Sequence, residues 1–358
     1  MENFSVNQLK DLRAETYLNS LLMNTPPGGK LPGMRILVQE SGVGRIRLEH
    51  VLEKFCNEGK LEVRSRSGYY RSPIVDKDRR IVLIDLENVY ALPPNLKHKN
   101  LSVFVSFWTP LNNKLKDLCK INGYELVLHS LNGKLSGVDD FFKNNHFAGG
   151  FIRGACGNEV TELFSQYLCC VDLLPHNVNT VYPAVIDSLE MTVMQMDYLL
   201  RRGYRRIGYL HQINNESLTV QNKRLSDYYR IMAENGLAIE ANWAMHAGFD
   251  YEVLNSNLYN MMTSRRPPEA LVVAGNTVPA VYRFCENNGI AIGSELAIMG
   301  CDDLTPELKP RVTSVTNTPD EIASQAWRVM EAALRGKKLV EYTNLKIVTG
   351  ESVPVKEQ

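Results

Sequence analysis

The sequence predicts an α/β protein with an N-terminal winged helix-turn-helix followed by a two-lobed body of two doubly wound parallel sheets. Three observations predict it. Helical spacing of apolar residues recurs three times before residue 60 and gives way to a short hairpin pattern. Beyond residue 100, short hydrophobic runs bounded by Gly and Asn alternate with helical stretches, the pattern of parallel strands covered on both faces. A length of 358 residues also exceeds what one core usually organises.

The first helix is expected over residues 7–23, with Leu9, Leu12, Tyr17, Leu18, Leu21 and Leu22 near one face, ended by Thr25-Pro26-Pro27-Gly28-Gly29. A second runs from about Gly33 to Ser41 with Ile36 and Leu37 inward, and Gly42 permits a tight turn. A third, from Arg45 to Glu58, buries Leu48, Val51, Leu52 and Phe55 and stops at Gly59. Leu61–Arg64 and Tyr69–Arg71, broken at Ser65–Gly68, read as a hairpin or wing.

Residues 73–100 are expected to link the head, residues 1–72, to the body, residues 101–358. Within this link Ile81–Leu86 has strand character. Lobe 1 is expected over about residues 101–186 plus late return segments, and lobe 2 over about 187–312. The first strand is placed at Leu101–Phe107, followed by a helix Leu111–Asn122 and a strand Tyr124–His129. A helix Val138–Asn144, a strand Gly149–Arg153 and a helix Glu159–Cys169 follow. In lobe 2 the strands are Arg206–Leu210, Ala270–Ala274 and Leu296–Gly300, with helices Leu189–Arg202, Lys223–Asn235 and Val278–Asn288. The helix Glu321–Arg335 and the strand Leu345–Thr349 complete the chain.

Composition narrows the function classes. Hydrophobic residues make up 44% and charged residues 22%, as in ordinary globular proteins. No apolar stretch approaches the roughly 18 residues that span a bilayer. Met1–Lys10 lacks the apolar core of a signal peptide, so a cytoplasmic location with no membrane partner is expected. The seven cysteines are scattered without a CxxC pair and no HExxH occurs, so neither metal nor cofactor is expected. Net charge is zero overall, but Lys30–Arg71 holds nine Lys/Arg against five Glu, a local excess of +4. A basic head on a neutral body is the electrostatic footprint of a nucleic-acid reader.

Two resemblances agree with this layout. Leu31-Pro32-Gly33-Met34-Arg35, Gly42-Val43-Gly44-Arg45, the stretch Leu52–Gly59 and Ser67-Gly68-Tyr69-Tyr70 resemble the GntR-type DNA-binding domain, in its order and spacing over residues 5–72. Two departures stand out: Gly44 replaces the usual Ser before the recognition-helix Arg, and Ile46-Arg47 replaces a Thr-Thr pair. The body resembles the sensor domain of LacI-type regulators, which has a periplasmic-binding-protein-like fold. The matching residues are Pro183–Asp187, Leu199 with Gly203-Tyr204-Arg205-Arg206-Ile207-Gly208, Arg224 ahead of Tyr228 and Gly236, Val273–Asn276, and Ile298–Asp303. This likeness is strongest from Pro183 to about Gly336, whereas Phe107–Leu111 is shorter than the usual first loop. A GntR head on a LacI-type sensor is the combination of the arabinose-responsive repressors. It implies a homodimer that holds operator DNA until a sugar-like effector binds.

The expected DNA contacts are Arg35, Arg45, Ile46, Arg47, Arg64, Arg66, Ser67 and Gly68. Arg45 and Arg47 open the third helix, where a guanidinium can reach guanine, and Arg64–Gly68 form the wing. For the ligand, Arg224 offers a fork for vicinal hydroxyls and matches the LacI-type ligand arginine. Asp302 and Asn276 end strands, where open α/β sheets place their crevice. Phe249, with Phe107 or Trp108, would supply an aromatic face. Asp302 and Asp303 are neighbours that diverge, so an acid/base pair is not expected. A sugar-handling enzyme and a winged-helix protein-contact module remain alternatives. The first lacks a nucleophile elbow or phosphate loop, and the basic asymmetry weighs against the second.

Overall fold

The computed structural model describes residues 6–26, 28–57, 60–65, 67–72, 79–86, 101–131, 135, 137–155, 157–211, 219–247 and 251–356. The head contains α1 (Val6–Asn24), α2 (Met34–Ser41), α3 (Arg45–Asn57) and an antiparallel hairpin of β1 (Leu61–Arg64) and β2 (Gly68–Arg71). Gly42 closes α2 at φ 64°, a left-handed position that glycine adopts without steric cost, and its N–H donates to the Val38 carbonyl. Leu48, Val51, Leu52 and Phe55 are buried as expected and meet Ala14, Leu18, Leu22 and Leu37 in one small core. Ile36 departs from expectation. At 46% exposure it points outward, because Leu37 and Ser41, with Met34 and Val38 beside them, take the inward face of so short a helix.

The body has two six-stranded sheets. Lobe 1 is built on β3 (Arg80–Asp85), β4 (Glu125–Ser130), β5 (Gly149–Arg153), β6 (Cys169–Leu173), β7 (Ala184–Ile186) and β13 (Val340–Tyr342). Their order is β13-β7-β6-β5-β3-β4, with every pair parallel. Lobe 2 uses β8 (Ile207–His211), β9 (Ala244–His246), β10 (Ala270–Val273), β11 (Ala297–Cys301), β12 (Thr313–Thr316) and β14 (Lys346–Val348). Here the order is β14-β12-β11-β10-β8-β9, and only β14 runs antiparallel.

Alternation explains why these runs are strands. Ile81 and Leu83 face one core of lobe 1 while Val82 and Ile84 face the other, so all four are buried. The strand character read at Ile81–Leu86 within the segment 73–100 is β3, which lies in mid-sheet between β4 and β5. One expectation fails. Leu101–Phe107 is not a strand but the opening of a long helix, α4 (Leu101–Ile121). Phe107, Leu111, Leu115 and Cys119 form a buried i, i+4 stripe, and that helical period prevails over local strand propensity once β3 fills the sheet.

Helices α5 (Val138–Asn144) and α6 (Asn158–Ser165) follow in lobe 1. The latter stops short of Cys169 and Cys170, which lie on β6 rather than at a helix end. Lobe 2 carries α7 (Met191–Arg201), α8 (Thr219–Glu234), α9 (Tyr251–Met262) and α10 (Val278–Asn287), and α11 (Pro319–Leu334) returns to pack on α4 and β6. No helix among the described residues is long and apolar enough to cross a membrane.

The lobe 1 core is expected to tolerate truncation poorly. Phe151 is fully buried on the central strand β5. Phe151→Ala is expected to lower stability by about 3–5 kcal/mol. A urea unfolding midpoint checks this, and an unchanged midpoint would contradict the packing described.

Candidate functional site: a charged cluster between the lobes

Three chain crossings join the lobes: one after β7, one between β12 and α11, and one between β13 and β14. Each contributes a polar side chain to one knot. Asp187 Oδ1 accepts from Asn317 Nδ2 at 3.1 Å and from Thr343 Oγ1 at 3.3 Å. Asn317 Nδ2 also reaches Thr343 Oγ1 at 3.1 Å, and the Ser188 N–H donates to the same hydroxyl at 3.0 Å. Ser188, Asn317 and Thr343 are buried.

Helix α8 brings a cation to this knot. Arg224 Nη2 donates to Asp187 Oδ2 at 2.6 Å, while its Nε is buried without a hydrogen-bond partner among the described residues. Burial alone would lower the pKa of Arg224, but the facing Asp187, with Cys301 and Asp302 nearby, raises it instead. The orphaned Nε is therefore a permanently charged donor aimed at no protein acceptor. Such a group is costly to bury unless something completes it.

Asp302 follows β11 in the left-handed region, φ 66°, as does Asp303, φ 46°. Two consecutive carboxylates at positive φ mark strained backbone of the sort that clusters at binding sites. The Asp302 N–H donates to the Val315 carbonyl at 2.9 Å, and its Oδ2 accepts the Cys301 thiol at 3.0 Å. Burial raises the Asp302 carboxyl to about 6, and the Asp187 charge adds to this against the opposing pull of Cys301 and Arg224. Asp303 turns away and accepts from Arg311 at 3.0 Å, so the two neighbours diverge as the sequence suggested. Asn276 sits in a 3-10 turn, Gly275–Thr277, directly after β10, and the Gly275 N–H donates to Cys301 Sγ at 3.1 Å.

Lobe 1 carries a second set of charged groups at its own strand carboxyl ends. Arg153, the last residue of β5, is buried and ion-paired with Asp85 at the end of β3. Its guanidinium lies 4.3 Å from the ring centre of Trp108 and donates to Asn112 Oδ1 at 3.3 Å. Phe107, by contrast, is 9% exposed within the lobe 1 core and meets Trp108 edge to face. The lobes also touch away from the crossings: Thr219 Oγ1, at the start of α8, donates to the His176 carbonyl at 3.2 Å, and so does the Val220 N–H at 3.3 Å. Burial, with Arg224 nearby, lowers the pKa of His176 against the pull of Asp187.

The structure thus brings Arg224 and Asp302 together and places Asn276 next to Gly275, which bonds Cys301, whereas Trp108 packs in lobe 1 against Phe107 and Arg153. Phe249 lies outside the described residues. Sequence reasoning passed over Asp187, Arg153, Asp85 and Asn317. Asp187 closed a quoted motif, and a charge ending an apolar strand was the available signal. Two surface cavities, of about 230 and 470 Å³, lie elsewhere: one beside Lys114, Gln325 and Arg328, the other beside Tyr282, Glu286 and Lys309. Neither collects buried charge, which is why the inter-lobe cluster marks the site. Among the described residues no group of three or more His, Cys, Asp or Glu could hold a metal.

In the head, Arg45 and Ile46 stand out from the start of α3; Ile46 is 84% exposed, and Arg45 pairs with Glu49 at 2.8 Å. Arg35 is exposed in the first turn of α2. Arg47 is not presented beside Arg45. Two residues along a helix turn about 200°, and Arg47 donates to Asp11 Oδ1 on α1 at 2.9 Å. In the wing, Arg64 is exposed, lies over the Tyr70 ring at 4.1 Å and pairs with Glu62. Ser67 Oγ meets the Tyr70 hydroxyl at 2.6 Å, and Gly68 sits at φ 102°. Arg66 lies outside the described residues.

Residues 196–353 match the family model of the periplasmic binding protein-like domain. The body has that fold. Solved structures agree. A LacI family transcriptional regulator from Mycobacterium smegmatis superposes with a TM-score of 0.60 at 16% identity, over 77% of this chain and 99% of that one. A transcriptional regulator CelR–cellobiose complex does so with a TM-score of 0.62 at 15% identity, over 90% and 100%. Among curated proteins, the ribose operon repressor of Haemophilus influenzae is 26% identical over 131 residues, 36% of this chain and 39% of that protein. The HTH-type transcriptional regulator GalR of Escherichia coli is 26% identical over 151 residues, 41% and 43%. The match to these relatives spans about two fifths of their length. The HTH-type transcriptional repressor PurR of Vibrio campbellii is 21% identical over 245 residues, 65% and 72%. The relatives named are thus regulators rather than enzymes.

The raised Asp302 carboxyl has a measurable signature. A group whose folded pKa exceeds its unfolded value near 3.8 favours the fold below that value and loses the benefit as pH rises through about 6. Asp302→Asn is therefore expected to melt progressively higher relative to wild type between pH 4.5 and pH 7.5. A difference in Tm that stays flat with pH would sink this account. Asp187→Ala strips Arg224 of its counter-charge and is expected to cost about 3–5 kcal/mol in urea unfolding.

Proposed function

We propose that the chain is a ligand-responsive transcription regulator, a repressor of carbohydrate-use genes released from operator DNA by a sugar-like effector. The effector sits between the lobes. The observation that carries this reading is the buried Arg224 Nε, left without an acceptor beside Asp187 and a strained Asp302 at strand carboxyl ends. A polyol supplies what that cluster lacks: a hydroxyl oxygen to accept from Nε and hydroxyl protons for the Asp302 carboxylate. Trp108, held under Arg153, offers the flat face for the C–H side of a sugar ring. The likeness to the ribose operon repressor of Haemophilus influenzae and to the transcriptional repressor PurR of Vibrio campbellii favours the same reading.

The head is read as a GntR-type winged helix-turn-helix. Arg35, Arg45 and Ile46 form its outward surface, Arg64 to Gly68 track the phosphates, and Arg47 braces α3 against α1. Head and body divide near residue 72, with lobe 1 beginning at β3 instead of residue 101. A homodimer doubles the base contacts that one short helix can make, and lobe closure changes the spacing of the two heads.

Fluorescence anisotropy with a labelled duplex tests the head. Arg45→Glu is expected to weaken binding by about tenfold or more, the scale of one lost guanidinium contact. Wild-type binding that does not weaken with added salt would overturn the phosphate contacts. A thermal-shift screen of monosaccharides, sugar phosphates and nucleosides tests the cleft. A hit is expected to vanish in Arg224→Ala; a hit indifferent to that change would place the effector elsewhere.

A further inference from the structure

Arg71 ends the wing strand β2, yet its side chain is 2% exposed and ranks with Trp243 and Tyr228 among the largest fully buried groups. Its guanidinium binds main-chain carbonyls. Nη1 donates to Leu22 O at 2.8 Å and to Thr25 O at 2.6 Å, both at the end of α1. Nη2 donates to Lys120 O at 2.9 Å, in the last turn of α4. Both helix ends carry partial negative charge, and Leu22 O and Lys120 O, which each accept one main-chain N–H at 3.4 and 3.2 Å, have a second lone pair to offer. A single cation therefore satisfies two helix ends at once, one in the head and one in lobe 1, where α1 packs on α4. Burial pulls the pKa of Arg71 down from the usual arginine value, so this placement is costly and an aliphatic residue would fill the same space more cheaply.

We infer that Arg71 is the clasp that docks the head onto lobe 1, with Nη1 serving the head and Nη2 joining it to the sensor. The division between the two nitrogens matters. A lysine ammonium can reach the two α1 carbonyls, which share one nitrogen in the wild type, but it has no second arm for Lys120. Main-chain bonds hold the backbone of Arg71 independently: its N–H donates to Gly29 O at 2.8 Å, and its carbonyl accepts from the Gly28 N–H at 3.0 Å. Docking itself does not depend on the DNA-binding reading. Its consequence does: duplex held by the head is felt at the end of α4 through Arg71.

Hydrogen exchange followed by mass spectrometry on the full chain tests both parts. In Arg71→Lys, peptides covering the last two turns of α4 and the facing side of α1 are expected to exchange about tenfold faster, while α3 keeps its wild-type rate. Wild-type exchange at the end of α4 in that variant overturns the clasp. Should Arg71→Lys unfold the head, Gly123→Val takes its place. Gly123 has φ 80° in the turn that presents the Lys120 carbonyl, so valine there disturbs the sensor's half of the contact without touching the head. Faster exchange in α1 is then expected, and an unchanged α1 again overturns the clasp.

The second part adds a mixed-sequence duplex at low salt. Wild-type protein is expected to slow its exchange at the end of α4 on binding. Arg71→Lys is expected to bind the duplex within about threefold of wild type yet show no slowing there. Duplex binding with no effect on α4 in the wild type overturns the transmission. A wild type that binds no duplex at all overturns the proposed function instead, and the exchange result on the free protein still decides the clasp.

Discussion

Arg224 and Asp187 bring opposite charges into a place largely closed to water, and the three crossings between the lobes are tied to that pair. Desolvation makes either charge costly alone; Asn317 and Thr343 donate to the Asp187 oxygen that the ion pair leaves open, while Arg224 Nε has no partner among the described residues. This gives the hinge an electrostatic centre instead of an oily one. An apolar hinge would hold the lobes together without regard to what lies between them. A carboxylate and a guanidinium respond to any donor or acceptor placed beside them, as an apolar contact does not.

Much of the fold was legible because burial writes itself as period. The stripe Leu48, Val51, Leu52 and Phe55 could be nothing but a helix face, and Gly149–Arg153 nothing but a strand covered on both sides. The failures lie where two periods compete. Leu101–Phe107 reads locally as a strand, and only the continuation through Leu111, Leu115 and Cys119 reveals a helix carrying Pro110 inside it. Short strands such as β7, β9 and β13 have three residues each and leave too little pattern to register.

The site was legible in part. Arg224 was reachable because a guanidinium fork suits vicinal hydroxyls and its position matches the LacI-type arginine, and Asp302 because it ends a strand; both belong to the cluster. Asp187 was not singled out, since its importance comes from partners at positions 317 and 343, more than a hundred residues away. No local window contains them. Arg47 shows the reverse: its neighbourhood in sequence suggested a common surface with Arg45, but helical geometry turns it toward Asp11.

The placement of β3 in the middle of the lobe 1 sheet has a mechanical result. Only seven residues, 73–79, separate the last residue of the head from that strand. Even fully stretched they reach about 25 Å, at roughly 3.3–3.6 Å per residue. The tether is short enough to forbid wide excursions, and it is rooted in the stiffest layer of lobe 1 instead of a peripheral loop. The N-terminal unit is thus carried like a tool on a short handle, and a tilt of the sheet is passed to it through few residues.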